Sequence, residues 1–262
     1  MLSAAALAGC TKAETLPEVP GNVLLSVSAT IPENLATKSY GDGGTADILY
    51  AEAYTHEGTR VLRKECSVEN GSASIELQLA KGRSYDIIFW AQCKDCKAYD
   101  NSDLREIRLE EQLAIEDFSG AERMDAFCKV MQDVEVTSSA DIAVILERPL
   151  AQLNISSSGE LSGDASSTAL TLKVPKYYQP LTGKTGGDIN LNAAYDDLPC
   201  DDKLVTENGS YEYMAMAYVF AESQPSPISG TIVISYRDGT TKTLEIAGVE
   251  LSSNRRTNMI YR

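Results

Sequence analysis

Chemistry in this chain would have to be assembled from few parts. The single histidine, His56, sits in a Thr55-His56-Glu57-Gly58 turn after a strand-like segment. No serine or cysteine motif accompanies it, so it reads as a solvated turn residue rather than a general base. Among the six cysteines, Cys93-Lys94-Asp95-Cys96 has the C-x-x-C spacing of a redox pair or of half a zinc site. A redox pair belongs at a helix N-terminus, where the dipole lowers the thiol pKa. Here the pair follows the strand that holds Trp90, which disfavours a catalytic thiol. A zinc site would need two more partners, with Cys66 and Cys128 as candidates, and Cys200 lies far along the chain. A strand-end disulfide or plain thiols are preferred to metal. Asp196-Asp197 and Asp201-Asp202 offer oxygens to Ca²⁺ but lack the ligand spacing of a calcium loop, so they read as a solvated acidic loop. No nucleophile elbow, phosphate-binding loop or zincin pattern occurs. The expectation is a non-enzymatic protein with no catalytic residue, metal or cofactor.

Composition narrows the partners. In 262 residues, 38 acidic side chains face 23 basic ones, for a formal net charge of −15. That balance argues against nucleic acid or an anionic membrane surface as a docking partner. Apolar and charged contents of 43% and 23% are those of a globular chain. The length suffices for one large or two ordinary domains, each able to bury a core. No apolar run is long enough to span a bilayer.

Strand signals dominate the elements that would position any site. Asn22–Glu33 alternates, with Val23, Leu25, Val27 and Ala29 on one face. Ile48–Tyr54 and Ser72–Leu79 alternate in the same way. Ser84–Gln92 is the most apolar and reads as a central strand covered on both sides, with Trp90 buried inside the first sandwich. Asn101–Leu113 fits a short helix or an edge strand, and Ile115–Val130 has helical spacing around Phe118, Ala121 and Phe127. Val134–Glu147 returns to strand character before Arg148-Pro149-Leu150 breaks it. The second half continues with strands at Ala151–Ser157, Thr168–Val174, Asp188–Ala194, Tyr211–Ala221, Ile228–Tyr236 and Thr240–Ile246. Arg237-Asp238-Gly239 is a hairpin turn, and Val249–Tyr261 closes the chain. Many short strands separated by turn signals predict an all-β fold of antiparallel sandwiches with minor helical insertions.

The N-terminus carries a local signal of its own. Met1–Gly9 is apolar and small, and it ends in Leu7-Ala8-Gly9-Cys10, which resembles a bacterial lipoprotein lipobox. The reading is cleavage before Cys10 and acylation of that residue, since acyl chains supply membrane affinity at about 0.8 kcal/mol per buried CH₂. The expected organisation is a signal and tether over 1–21, one β-sandwich over 22–150 and a second over 151–262. Between the first two strands, Leu35–Gly44 is rich in Gly and small polar residues. On spacing alone it reads first as an ordinary exposed loop with a solvated Lys38, and second as one in which a trypsin-like protease reaches Lys38 and cuts before Ser39.

These residues together resemble the fimbrillin family, the type V pilus subunits and related surface lipoproteins of Bacteroidetes. The resemblance runs over nearly the whole chain after Cys10. It is carried by Asn34–Gly43, Tyr85–Ala91, Asp125-Ala126-Phe127, Leu146–Leu153, Pro180–Gly183, Tyr211–Met216 and Asn254–Asn258. It implies two tandem transthyretin-like sandwiches, an outer-membrane lipid anchor, and a structural role in a fimbria serving adhesion. It further implies that a processing protease cuts at Lys38–Ser39 and that the first strand then leaves. A neighbouring fimbrial subunit's C-terminal strand would fill the groove, with Val249, Leu251, Met259 and Tyr261 as this chain's donor anchors. The alternative is a monomeric surface lipoprotein that binds glycan or protein through loops without polymerising.

Overall fold

The computed structural model describes residues 21–32, 41–110, 114–196, 198–200 and 202–262. Its first half runs β1 (Asn22–Thr30), β2 (Ile48–Tyr54), β3 (Arg60–Ser67), β4 (Ser72–Ala80) and β5 (Arg83–Gln92). An insertion follows, with β6 (Tyr99–Asp100), β7 (Ile107–Leu109), β8 (Ala114–Ile115) and α1 (Phe118–Glu122). Then come β9 (Ala126–Val136) and β10 (Ala140–Ile145). The second half holds β11 (Leu150–Ser157), α2 (Gly159–Ser162), β12 (Ala165–Val174), β13 (Tyr177–Gln179), β14 (Lys184–Gly186) and β15 (Ile189–Tyr195). It ends with β16 (Lys203–Thr206), β17 (Gly209–Phe220), β18 (Ser226–Tyr236), β19 (Thr241–Leu251) and β20 (Arg256–Tyr261).

Alternation builds the first sandwich. Leu25, Val27 and Ala29 of β1 and Ile75, Leu77 and Leu79 of β4 share a core with Leu49, Ala51, Ile87 and Phe89. Sheet β10-β1-β4 thereby lies on sheet β3-β2-β5-β9. The other face of β5 is also covered. Ile88 and Trp90 join a second core that runs through Tyr99, Leu104 and Phe118 to Leu153, Tyr195 and Phe220. Trp90 is therefore buried, as expected, but in the core shared with the second half rather than inside the first sandwich. In the second half, sheet β16-β17-β11-β20 and sheet β19-β18-β12-β15-β8 form the other sandwich. The insertion stitches the halves together, because β7 pairs with β13 and β8 pairs in parallel with β15.

The two sandwiches share one wiring. In each, the first strand pairs antiparallel with one neighbour and parallel with the last strand: β1 with β4 and β10, β11 with β17 and β20. In each, the second strand is flanked by two antiparallel partners, β2 by β3 and β5, β12 by β15 and β18. The sheets are thus antiparallel except where first strand meets last and where β8 joins β15.

Three sequence expectations are corrected. Only Phe118–Glu122 of the stretch 115–130 is helical, because β9 pairs with β5 and takes Phe127 and Cys128 into strand register opposite Ala91 and Trp90. The stretch 101–110 forms turns and the short β7 instead of a helix or a long edge strand. The stretch 249–261 is divided between two sheets by a turn in which Asn254 has φ +56°. β3 escaped notice in the sequence because it is a charged edge strand, Arg60-Val61-Leu62-Arg63-Lys64-Glu65, with no clean apolar period.

Candidate functional site

The groove that holds β1 is the first part of the site. Leu25 sits opposite Leu77, Val27 opposite Ile75 and Ala29 opposite Ala73 on the antiparallel side. On the parallel side Val27 faces Ile142 and Ala29 faces Val144. Leu25, Val27, Ala29 and the following Ile31 are each at most 4% exposed. Burial of Leu25, Val27 and Ile31 stabilises the strand by roughly 4.5–9 kcal/mol, taking about 1.5–3 kcal/mol per side chain, an upper estimate against a compact unfolded chain. Taking β1 out would also strip β4 and β10 of their shared ladder partner.

The chain re-enters the described structure at Gly41, and there it is gripped. Its N–H donates to Glu122 Oε1 at 2.5 Å, and its carbonyl accepts from Arg148 Nη2 at 2.9 Å. Gly41 has φ +95°, and a Cβ there would lie 2.5 Å from Gln152 Oε1 and 2.8 Å from Arg256 Nη2, so only glycine fits. Arg148 holds Asp125 with two 2.6 Å hydrogen bonds and lies over the rings of Phe127 and Tyr218 at 5.0 and 5.9 Å. Tyr218 donates to Glu122 Oε2 at 3.0 Å, and Arg256 Nε donates to Gln152 Oε1 at 3.1 Å. Burial pushes the Glu122 carboxyl up from the ordinary range, and it pushes Asp125 up as well, with the Arg148 guanidinium pulling the other way. Residues from both sandwiches and from β20 therefore meet around one glycine.

A family of unknown function, DUF6562, has a model that matches residues 17–260. The chain belongs to that family. Among curated proteins no match is found. This DUF6562 chain is similar in fold to solved structures at low identity. A provisionally named polysaccharide-binding protein of Bacteroides thetaiotaomicron aligns at 13% identity and TM-score 0.53, over 91% of each chain. A provisionally named adhesin of Bacteroides ovatus aligns at 11% identity and TM-score 0.50, over 91% of this chain and 86% of that one. A fimbrial assembly protein of Parabacteroides distasonis aligns at 11% and TM-score 0.50, over 91% and 90%. At such identities the likeness establishes the fold, and it is the tandem β-sandwich of fimbrial proteins and adhesins that the fimbrillin resemblance implies.

The sequence-derived site residues of this DUF6562 chain fall in several places. Cys10, Lys38 and Ser39 lie outside the described residues. The four donor anchors are not brought onto one strand. Val249 and Leu251 end β19, opposite Ile228 and Ser226, and Leu251 is 1% exposed in the second core. Met259 and Tyr261 are half-buried on β20, opposite Ile155 and Ser157. His56 is exposed, its Nδ1 3.9 Å from Asp133. Among the described residues no three His, Cys, Asp or Glu side chains gather as a metal-holding group.

Cys93 and Cys96 form a disulfide at the end of β5, which resolves the cysteine alternatives in favour of the strand-end bridge. Cys66 and Cys128 keep free thiols, and burial pushes both thiols up, away from the reactive thiolate. Closing so short a loop removes little chain entropy, so replacing Cys93 and Cys96 together with Ser should cost about 2 kcal/mol. Thermal melting should then fall by roughly 4–8 °C. An unchanged melting curve would show that the bridge adds no stability.

Sequence reasoning missed the polar residues that matter most. Glu52 is fully buried in β2, where it accepts from Arg60 (2.6 Å), Arg63 (2.5 Å), the Leu104 N–H (2.8 Å) and the Tyr54 hydroxyl. A carboxylate inside the apolar run Ile48–Tyr54 was the available signal, because a buried acid needs cations or donors around it.

Proposed function

We propose that this DUF6562 chain is a structural subunit of a surface fimbria serving adhesion. In this reading it is anchored to the outer membrane through acylated Cys10 and processed by a trypsin-like protease at Lys38–Ser39. Release of β1 opens the groove between β4 and β10, and a strand of another fimbrial subunit fills it. One observation carries the reading. The first strand is the middle strand of its sheet, and every second residue of it is apolar and faces inward, so its loss leaves a shaped slot rather than a blunt edge. The shared fold with a fimbrial assembly protein supports it. The Cys93–Cys96 disulfide supports export, since such bonds persist in oxidising compartments. Of the donor anchors, Met259 and Tyr261 ride on an edge strand that can peel away, whereas Leu251 stays in the core.

The test uses the bacterium that makes the protein. Mature wild type should begin at Ser39 and run as detergent-resistant ladders in gels. Lys38→Ala should give a folded, lipid-bound monomer that keeps Asn22–Thr30, and Cys10→Ala should leave the membrane fraction. If mature wild-type protein keeps Asn22–Lys38 and never forms ladders, the fimbrial reading fails.

A second reading has one observation in its favour. An open cleft of about 560 Å³ where the halves meet is lined by Asp100, Ser102, Asp103, Arg105, Glu106, Arg108 and Gln179. Planar polar side chains in such density suit a glycan, and a monomeric surface lipoprotein would bind one there. Glycan-array binding that disappears in Glu106→Ala, without any ladder from wild type, would support this reading over the first.

A further inference from the structure

The slot under β1 is selective. Four of its inward positions are fully buried, filled by Leu25, Val27, Ala29 and Ile31, while Val23 packs half-buried at its entrance. Ala29 lies between Ala73 and Val144 and shares its core with Phe89 and Phe127, so the third position has room for a small side chain only. The fourth is closed off. A Cβ on Gly43 would fall 2.9 Å from Ile31 Cγ2 and 2.9 Å from Phe127 Cζ, so Ile31 already fills the space up to both. Larger side chains forced into such places displace their neighbours.

This chain's own C-terminal strand does not match that slot. Leu251 is locked in the second core and paired with Ser226, so the part that can peel off begins after it. From Ser252 to Tyr261 there are four runs of alternate residues: Ser252-Asn254-Arg256-Asn258, Ser253-Arg255-Thr257-Met259, Asn254-Arg256-Asn258-Ile260 and Arg255-Thr257-Met259-Tyr261. Every run brings Arg255 or Arg256 into a place that the described residues line with apolar side chains, where an unpaired charge is costly to bury. The most apolar run also sets Met259 on the Ala29 site and Tyr261 on the Ile31 site.

We infer that the β1 groove takes a strand from a different chain and rejects the 252–262 strand of a second copy of this one. The matching strand runs parallel to β10 and carries aliphatic side chains at its first, second and fourth inward positions. Its third inward residue is Ala, Gly or Ser. This inference rests on the strand-release reading above. β20 would then serve a differently shaped groove, and assembly through this subunit is heteromeric.

The experiment uses the full chain with residues 35–38 replaced by the recognition site of a specific protease. After cutting, three fluorescent synthetic peptides compete for the groove: a copy of residues 22–32, a copy of residues 252–262, and the latter with Arg255→Leu, Thr257→Val, Met259→Ala and Tyr261→Ile. The first and third should exchange into the cut protein. The second should bind more than about a hundredfold more weakly, since at least two of its misfits should cost roughly tenfold each. Exchange of the unmodified 252–262 peptide within tenfold of the 22–32 copy would overturn the selectivity while leaving strand release intact. If the 22–32 copy itself fails to exchange, strand release and the inference fall together.

Discussion

Replacing Arg148 with Leu should destabilise the protein by about 3–5 kcal/mol, because it strands a buried carboxylate. Asp125 is fully buried and its two oxygens are held by Arg148 at 2.6 Å. The same guanidinium donates to the Gly41 carbonyl, so the change also removes that hydrogen bond. The pH dependence has a definite sign. Burial pushes the Asp125 carboxyl up and Arg148 is its main opponent, so removing the guanidinium leaves only the Ala126 N–H to work against burial. A carboxyl whose folded pKa is raised above its unfolded value binds a proton more tightly when folded, and the variant therefore regains stability as pH falls. Urea titrations at pH 7 and pH 5 should show the gap to wild type narrowing at the lower pH. The double variant Asp125→Leu with Arg148→Leu should lose less than Arg148→Leu alone. Equal losses at both pH values, or an additive double variant, would show that the pair does not act as a unit.

Trp90→Ala should cost about 3–5 kcal/mol, the usual range for emptying a large aromatic site. Its indole N–H donates to Gln92 Oε1 at 2.6 Å, and its ring meets Tyr99 edge-on with centroids 5.4 Å apart. Tyr99 in turn packs on Phe220 of β17 at 5.5 Å. The damage should accordingly cross between the sandwiches. Hydrogen exchange should rise in β17 and β11 as well as in β5 and β2. Loss of protection confined to the first sandwich would place Trp90 energetically where the sequence alone suggested. A melting midpoint within a degree or two of wild type would show that the cavity costs nothing.

Local pattern determined a good deal by itself. Period-two alternation located β1, β2 and β4, and the Asp238-Gly239 turn joined β18 to β19, because side-chain direction along a strand depends on neighbours a residue or two away. The apolar run around Trp90 announced a strand covered on both faces. The all-β class and the lack of a catalytic constellation among the motifs also came from the chain alone. What covers each face did not, since that depends on contacts between residues far apart in sequence. Only the fold set Gly41 against Glu122, Arg148, Gln152 and Arg256, which span much of the chain. Only the fold turned residues 126–130 from helical spacing into the first part of β9, by offering them the free edge of β5. It also divided Val249–Tyr261 between two sheets, because a left-handed turn at Asn254 let Leu251 complete one sheet while Met259 and Tyr261 joined another beside β11. Strand content is a short-range property of the backbone. Which strand lies beside which is a matter of tertiary packing, decided by contacts between residues far apart in the chain.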